Sequence, residues 1–233
     1  MITLRALDVK VDDADVIRLQ GEFQALHCVL LPGLIDASLH SLILPMIERG
    51  PWRDESYIGI GTEHVLFDDL ALHLLHFAVN APAFIDGVKR ITGCDDIDRF
   101  DGRFYRFAPG TDHEFDWHND VADNRLVGMS INLSPSGYEG GLFQLRDRET
   151  KTLLCEVANT VLGNAHLFRI SSTLQHRVSA VRGTQSRTAF AGWFRAGEAN
   201  LLTTLLNAES LSQTELPSPQ KQVVAYAGKL FTT

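Results

Sequence analysis

The 233-residue chain has only three cysteines, Cys28, Cys94 and Cys155. They are far apart, odd in number and form no CxxC pair. That excludes a disulfide framework and points to a reducing compartment. There is no Lys/Arg-rich run, and the net charge is −8. A nucleic-acid partner is therefore disfavoured, because such binders carry a basic patch. Long apolar runs are also lacking: "CVLLPGLI" and "LALHLLHFAV" are too short or too interrupted to span a bilayer. The opening "MITLRALDVKVDDADV" has no apolar core after its basic residue, so it does not read as a signal peptide. No internal repeat or low-complexity tract is visible. The expectation is a soluble, cytoplasmic protein with no membrane or nucleic-acid partner.

With 45% hydrophobic residues, the chain can bury one sizeable core. A single domain over 1–233 is expected, in three zones. Residues 1–100 are mixed. "DVIRLQGEFQALHCVLL" reads as short strands. "PGLIDASLHSLILPMIERG" has helical spacing, with Asp36 as a cap and Gly50 as a stop. "FDDLALHLLHFAVNAPAFIDGVKRITG" reads as two helices broken at Ala81-Pro82. From 101 to 197, strand-like stretches recur between turn residues: "RFYRFAPG", "HEFDWHNDV", "LVGMSINLSPSG", "GGLFQLRD", "TLLCEVAN", "NAHLFRI", "LQHRVSAVRG" and "RTAFAGWFRAG". Short antiparallel strands at this spacing suggest a sandwich or jelly roll. A C-terminal helix, "EANLLTTLLNAESL", and a polar tail complete 198–233. The expected fold is mainly β with flanking helices around a double-stranded β-helix (jelly-roll, cupin-like) core.

Of the nine histidines, only His118 has an acidic residue two positions on, Asp120. On a strand, residues i and i+2 share a face, so the pair can offer an imidazole nitrogen and a carboxylate oxygen to one ion. His176 in "LQHRVSAV" is the best third ligand, because a jelly roll sets early and late strands side by side. Two histidines and a carboxylate leave three positions of an octahedron open, as Fe(II) oxygenases require. A tetrahedral zinc site could use the same set. Arg187 discriminates between them. Ala189, Ala191 and Trp193 share its strand face, so it has room to reach inward and grip an acidic co-substrate bidentately.

In order, "FAPG", "HND", "YEGGLFQL", "HRVSAV", "SRTAF" and "GWF" make the run from Phe104 to Phe194 resemble the 2-oxoglutarate- and Fe(II)-dependent dioxygenases, specifically the prolyl-4-hydroxylase-like branch. "LPGLID" followed by a helix is a weaker likeness. The resemblance implies that His118, Asp120 and His176 bind iron and that Arg187 binds the distal carboxylate of 2-oxoglutarate. The family often has Tyr where this chain has Phe107; Tyr105, two residues back on the same face, substitutes for it. Asn132 falls where many relatives place a further contact to 2-oxoglutarate. Arg187 lies about one residue further from His176 than usual, which leaves Arg182 as the alternative. Strand placement and the six-residue step to Trp193 favour Arg187.

The implied cofactors are Fe(II), 2-oxoglutarate and dioxygen, with ascorbate as an optional reductant. The implied reaction is hydroxylation of an unactivated C–H bond in a small-molecule, amino-acid-type or peptidyl (prolyl) substrate, releasing succinate and CO2. Related halogenases replace the carboxylate by Gly or Ala, so Asp120 argues for hydroxylation. The competing readings are a cupin-like metal-dependent hydrolase or isomerase, opposed by Arg187, and a non-catalytic jelly-roll binding or sensing domain, opposed by the intact ligand set. His73 and His76, at helical spacing among apolar residues, are read as packing. His166 is read as structural, although its strand belongs to the same core. Gly140 and Gly141 are read as a hairpin turn. Trp193 is expected in the core or pocket wall, His113 in a loop near the pocket mouth, and Trp52, Arg103, Trp117 and Tyr138 near the entrance. Trp117 shares the parity of Asn119, facing away from the ligands.

Overall fold

The computed structural model describes residues 2–57, 61–66, 69–111, 115–122 and 124–197. The expected C-terminal helix and tail, and His113, lie outside these residues. Four helices come from the first 92 residues. α1 (Asp13–Leu26) replaces the strands expected there. Val16, Leu19 and Phe23 recur on one buried stripe, and the Asp12 side chain accepts from the amides of Ala14 and Asp15. That spacing and that cap outweigh the strand preference of the β-branched residues near its start. α2 (Ala37–Arg49) starts where expected: Asp36 accepts from the Leu39 amide at 3.0 Å, and Gly50 ends the helix. α3 (Asp69–Val79) and α4 (Pro82–Thr92) bend apart by 58°, with Pro82 in the first turn of α4. Proline is tolerated there because that N–H has no helical partner. Among the described residues no single helix is long and apolar enough to cross a membrane.

The strands before the β-rich region are β1 (Thr3–Leu4), β2 (Val9–Lys10), β3 (Cys28–Leu31), β4 (Trp52–Tyr57) and β5 (Gly61–Leu66). The region itself holds β6 (Ile97–Phe107), β7 (Phe115–His118), β8 (Arg125–Asn132), β9 (Glu139–Gly140), β10 (Phe143–Asp147), β11 (Leu153–Val157), β12 (Ala165–Arg169), β13 (Leu174–Val178), β14 (Val181–Arg182) and β15 (Arg187–Ala196). Each of the eight strand-like stretches seen in the sequence overlaps at least one of them. The main sheet runs β11-β10-β13-β7-β5-β6-β15-β8-β12-β3, with β4 paired to β5.

This sheet curls onto itself. β10 and β12 are far apart in the order, yet Phe143 of β10 lies 4.7 Å, ring to ring, from Phe168 of β12. The result is a mainly antiparallel jelly roll with flanking helices. Its inner layer holds Tyr105, Phe107, Phe143, Leu145, Phe168, Leu174, Val178 and Ala189. The opposite face of β6, β15 and β8 presents Phe100, Phe104, Phe190, Phe194, Val127 and Ile131 to the helices, where they meet Phe23, Ile43, Leu75 and Phe84. Along β15, strand parity thus sends Phe190 and Phe194 outward to the helices and leaves Arg187, Ala189 and Ala191 facing the interior.

Candidate metal centre

β7 and β13 pair with His118 directly opposite His176. Directly opposed residues on neighbouring strands point to the same face, and the two imidazole centroids lie 4.3 Å apart. His118 ends β7, and Asp120 lies two residues beyond it, off the strand. Strand parity thus aims His118, but other contacts place Asp120. The Trp193 indole donates to Asp120 Oδ2 at 2.7 Å. His176 Nε2 lies 3.4 Å from Oδ2, and His118 Nε2 lies 3.7 Å from Oδ1. One ligand atom from each of His118, Asp120 and His176 falls within 4.8 Å of the other two. His118 Nδ1 lies 2.5 Å from the Asp116 carbonyl oxygen. A carbonyl only accepts, so the proton is on Nδ1 and the Nε2 lone pair is directed at the cluster. The donor set, its spacing and the tautomer fit a divalent transition metal.

The electrostatics agree. Burial raises the Asp120 pKa, but the hydrogen bonds from His176 and Trp193 and the neighbouring imidazoles outweigh it, and the carboxyl is held well below its usual range. Burial, then the adjacent His176, lowers the pKa of His118. An ionised carboxylate beside a neutral imidazole is the form that ligates.

Arg187 opens β15 and is 2% exposed. Its Nη1 donates to the Tyr105 hydroxyl at 2.5 Å and its Nη2 to Ser130 Oγ at 3.1 Å. No carboxylate pairs with it among the described residues. Arg182, the alternative, is exposed on β14, opposite Glu139. Arg187 is therefore the inward arginine, and Ala189 and Ala191 follow on its face, as expected. Tyr105 reaches it, whereas Phe107 packs against it through carbon.

Asn132 does not line the cavity. Its Oδ1 accepts from the Ser134 amide at 3.0 Å and fixes the turn after β8. Ser130, two residues earlier on the same face, lines the cavity instead and accepts from Arg187. Gly140 and Gly141 do not form a two-residue hairpin. Gly140 pairs with Val181, and at Gly141 (φ 58°) a Cβ would lie 2.8 Å from Arg187 Cδ. That glycine clears space for the arginine.

A cavity of about 330 Å³ joins these groups. His118, Asp120 and His176 line it, as do Tyr105, Ser130, His166, Phe143, Phe168, Arg103, Arg125 and Trp193. Arg103 thus belongs to the wall, held by Glu63, which is fully buried and accepts from Arg103 Nε at 2.7 Å. Arg125 stacks 3.7 Å from the Trp193 ring centroid. Trp117 faces away, between Arg146 and Arg177, as its parity requires. Trp52 lies under Arg106, and Tyr138 donates to the Asn159 carbonyl at 2.6 Å; neither lines the cavity. His76 bonds the backbone of Gly102 and packs on Phe100 and Phe190, in keeping with a packing role. His166, expected to be structural, faces the cavity. Burial, then the charges of Arg187 and His176, lowers its pKa to about 3.

Residues 102–195 match the model of the 2OG-Fe(II) oxygenase superfamily. No curated protein matches the chain in sequence. Among solved structures, a Pseudomonas putida prolyl-4-hydroxylase is 16% identical, with 78% of this chain and 100% of that one covered and a TM-score of 0.59. A prolyl hydroxylase from Trichoplax adhaerens, in complex with a hypoxia-inducible-factor peptide fragment, is 13% identical, with 87% and 94% covered and a TM-score of 0.58. The non-haem alpha-ketoglutarate-dependent epimerase SnoN from nogalamycin biosynthesis is 12% identical, with 79% and 84% covered and a TM-score of 0.59. Over residues 102–195 the chain is thus similar to the 2-oxoglutarate- and Fe(II)-dependent oxygenases, and it shares a prolyl-4-hydroxylase-like fold.

Proposed function

We propose that the protein is a 2-oxoglutarate-dependent non-haem Fe(II) hydroxylase acting on an unactivated C–H bond of a small-molecule or amino-acid-type substrate, with release of succinate and CO2. One observation carries this reading. A three-ligand cluster shares a cavity with Tyr105 and Ser130, and behind those two hydroxyls lies the buried charge of Arg187, which no carboxylate neutralises among the described residues. A buried guanidinium without a counter-ion is costly, and an anionic co-substrate supplies the missing charge. A metalloenzyme using water alone needs no such arginine. The cavity volume is near the lower end of the roughly 300–1,000 Å³ typical of small-ligand sites, which supports a compact substrate over an extended peptide.

His118, Asp120 and His176 would hold the iron on one face, leaving three positions for other ligands. Bound iron and 2-oxoglutarate would supply dioxygen activation and oxidative decarboxylation, which no side chain here can perform. The protein's own contribution is orientation and dryness. The Asp116 carbonyl fixes the His118 tautomer, the Trp193 indole fixes the Asp120 carboxylate, and Phe143 and Phe168 keep water from the wall. Asp120 occupies the position that a halogenase leaves without a carboxylate, which supports hydroxylation.

The test begins with protein purified anaerobically and supplied with Fe(II) and 2-oxoglutarate. Admitting oxygen should yield succinate even without the native substrate. Asp120→Ala should lower that yield about a hundredfold or more. Undiminished succinate from the variant would remove Asp120 from the ligand set, and tight zinc binding with no succinate from the wild type would favour a hydrolase.

A further inference from the structure

His166 is a buried polar side chain whose chemistry the site has not yet used. It lies on β12, directly opposite Ser130 of β8, and the two share an inward face. Ser130 Oγ accepts from Arg187. The His166 ring is 1% exposed, lines the cavity and packs 4.5 Å, centroid to centroid, from Phe143. Neither Nδ1 nor Nε2 has a hydrogen-bond partner among the described residues. A neutral imidazole carries one N–H donor and one acceptor nitrogen. Leaving both unmet inside a protein forfeits the solvation that each had in water. Phe143 and Phe168 offer the ring nothing polar. It is not part of the metal cluster, which comprises His118, Asp120 and His176. Its remaining partner is whatever enters the cavity.

We propose that the His166 N–H donates to the carboxylate that Arg187 attracts, so that Tyr105, Ser130 and His166 together form the cradle for the distal end of a dicarboxylic 2-oxo acid. The charge comes from Arg187, one layer behind the wall, while the hydroxyls and the imidazole supply direction. A leucine of similar bulk at 166 would serve packing better than histidine, so the polar ring is explained by an anionic occupant. The inference rests on the co-substrate reading above.

The experiment measures binding rather than turnover. Wild type, His166→Leu and His166→Gln are loaded with Mn(II) or anaerobic Fe(II) and titrated calorimetrically with 2-oxoglutarate. Each is also melted without metal or ligand. His166→Leu should bind 2-oxoglutarate about ten- to a hundredfold more weakly, the range of one hydrogen bond to a charged acceptor. His166→Gln, which keeps an N–H, should recover part of the loss. The metal-free melting point of His166→Leu should equal or exceed that of the wild type, because the substitution removes two unsatisfied polar atoms. Equal affinities in wild type and His166→Leu would overturn the role of His166 and leave the co-substrate reading standing. No binding by metal-loaded wild type would overturn both.

Discussion

At the residue scale, the site divides into what spacing reveals and what only packing reveals. His118, Asp120 and His176 were legible because one histidine alone has a carboxylate two positions on, and because "HRV" falls on a late strand. Arg187 was legible from the small residues that alternate after it. Ser130 and His166 were not. Each is a single residue in an apolar strand, with no spacing to mark it, and its meaning arises only when β8 and β12 lie side by side. His166 also makes a prediction about acid stability. In the unfolded chain its proton binds near pH 6.5, but in the fold not until about pH 3. Between those values the unfolded state holds one more proton, so stability falls as pH drops, by as much as about 1.4 kcal/mol per pH unit from this one group. Denaturant titrations of metal-free protein at pH 7 and pH 5 should show this slope, and His166→Leu should flatten it by about one proton.

At the scale of elements, the β-rich half was readable and the first helix was not. Alternation and turn residues marked the eight stretches between Arg103 and Gly197, and each overlaps a strand. The stretch that became α1 opens with Val16 and Ile17 and contains Gly21, which are poor helix formers; the apolar triad Val16, Leu19 and Phe23 and the Asp12 cap decided the outcome. The Gly140-Gly141 pair shows another limit, because a turn and a close approach leave the same two letters in a sequence. The structure makes the second use testable. Gly141→Ala meets both a positive φ and a Cβ 2.8 Å from Arg187 Cδ. It should destabilise the protein by about 1–3 kcal/mol and weaken 2-oxoglutarate binding, readable together by chemical denaturation and calorimetry. The mirror substitution Gly137→Ala, where nothing lies within 4 Å of the added atom, should leave the affinity unchanged.

For the whole molecule, the cavity draws on both layers of the roll. β7 and β13 bring His118 and His176, the segment after β7 brings Asp120, and β6, β8 and β12 bring Tyr105, Ser130 and His166. A bound metal with 2-oxoglutarate would therefore tie the layers together and favour the folded state by mass action. At a hundred times the dissociation constant the gain is about 2.7 kcal/mol, which for a domain of this size is roughly 5–10 °C in Tm. Thermal scans with Mn(II) and 2-oxoglutarate should show that rise, and Arg187→Gln should lose most of it. Sequence reading reached the jelly roll because its strands are short and evenly punctuated. The identity of the substrate has no such signature, because the cavity wall is assembled from seven strands that share no local pattern.

The three tryptophans give the protein an optical gauge of its own. Trp193 touches a ligand carboxylate, whereas Trp52 and Trp117 are stacked beneath arginines away from the cavity. A paramagnetic ion held by Asp120 would sit beside the indole that donates to that carboxylate and would quench its emission most strongly. Intrinsic fluorescence should then fall in a single saturating step on Mn(II) addition, and Trp193→Phe should remove the step without removing the baseline. Occupancy of the centre can thus be read in unlabelled protein, before any substrate is known.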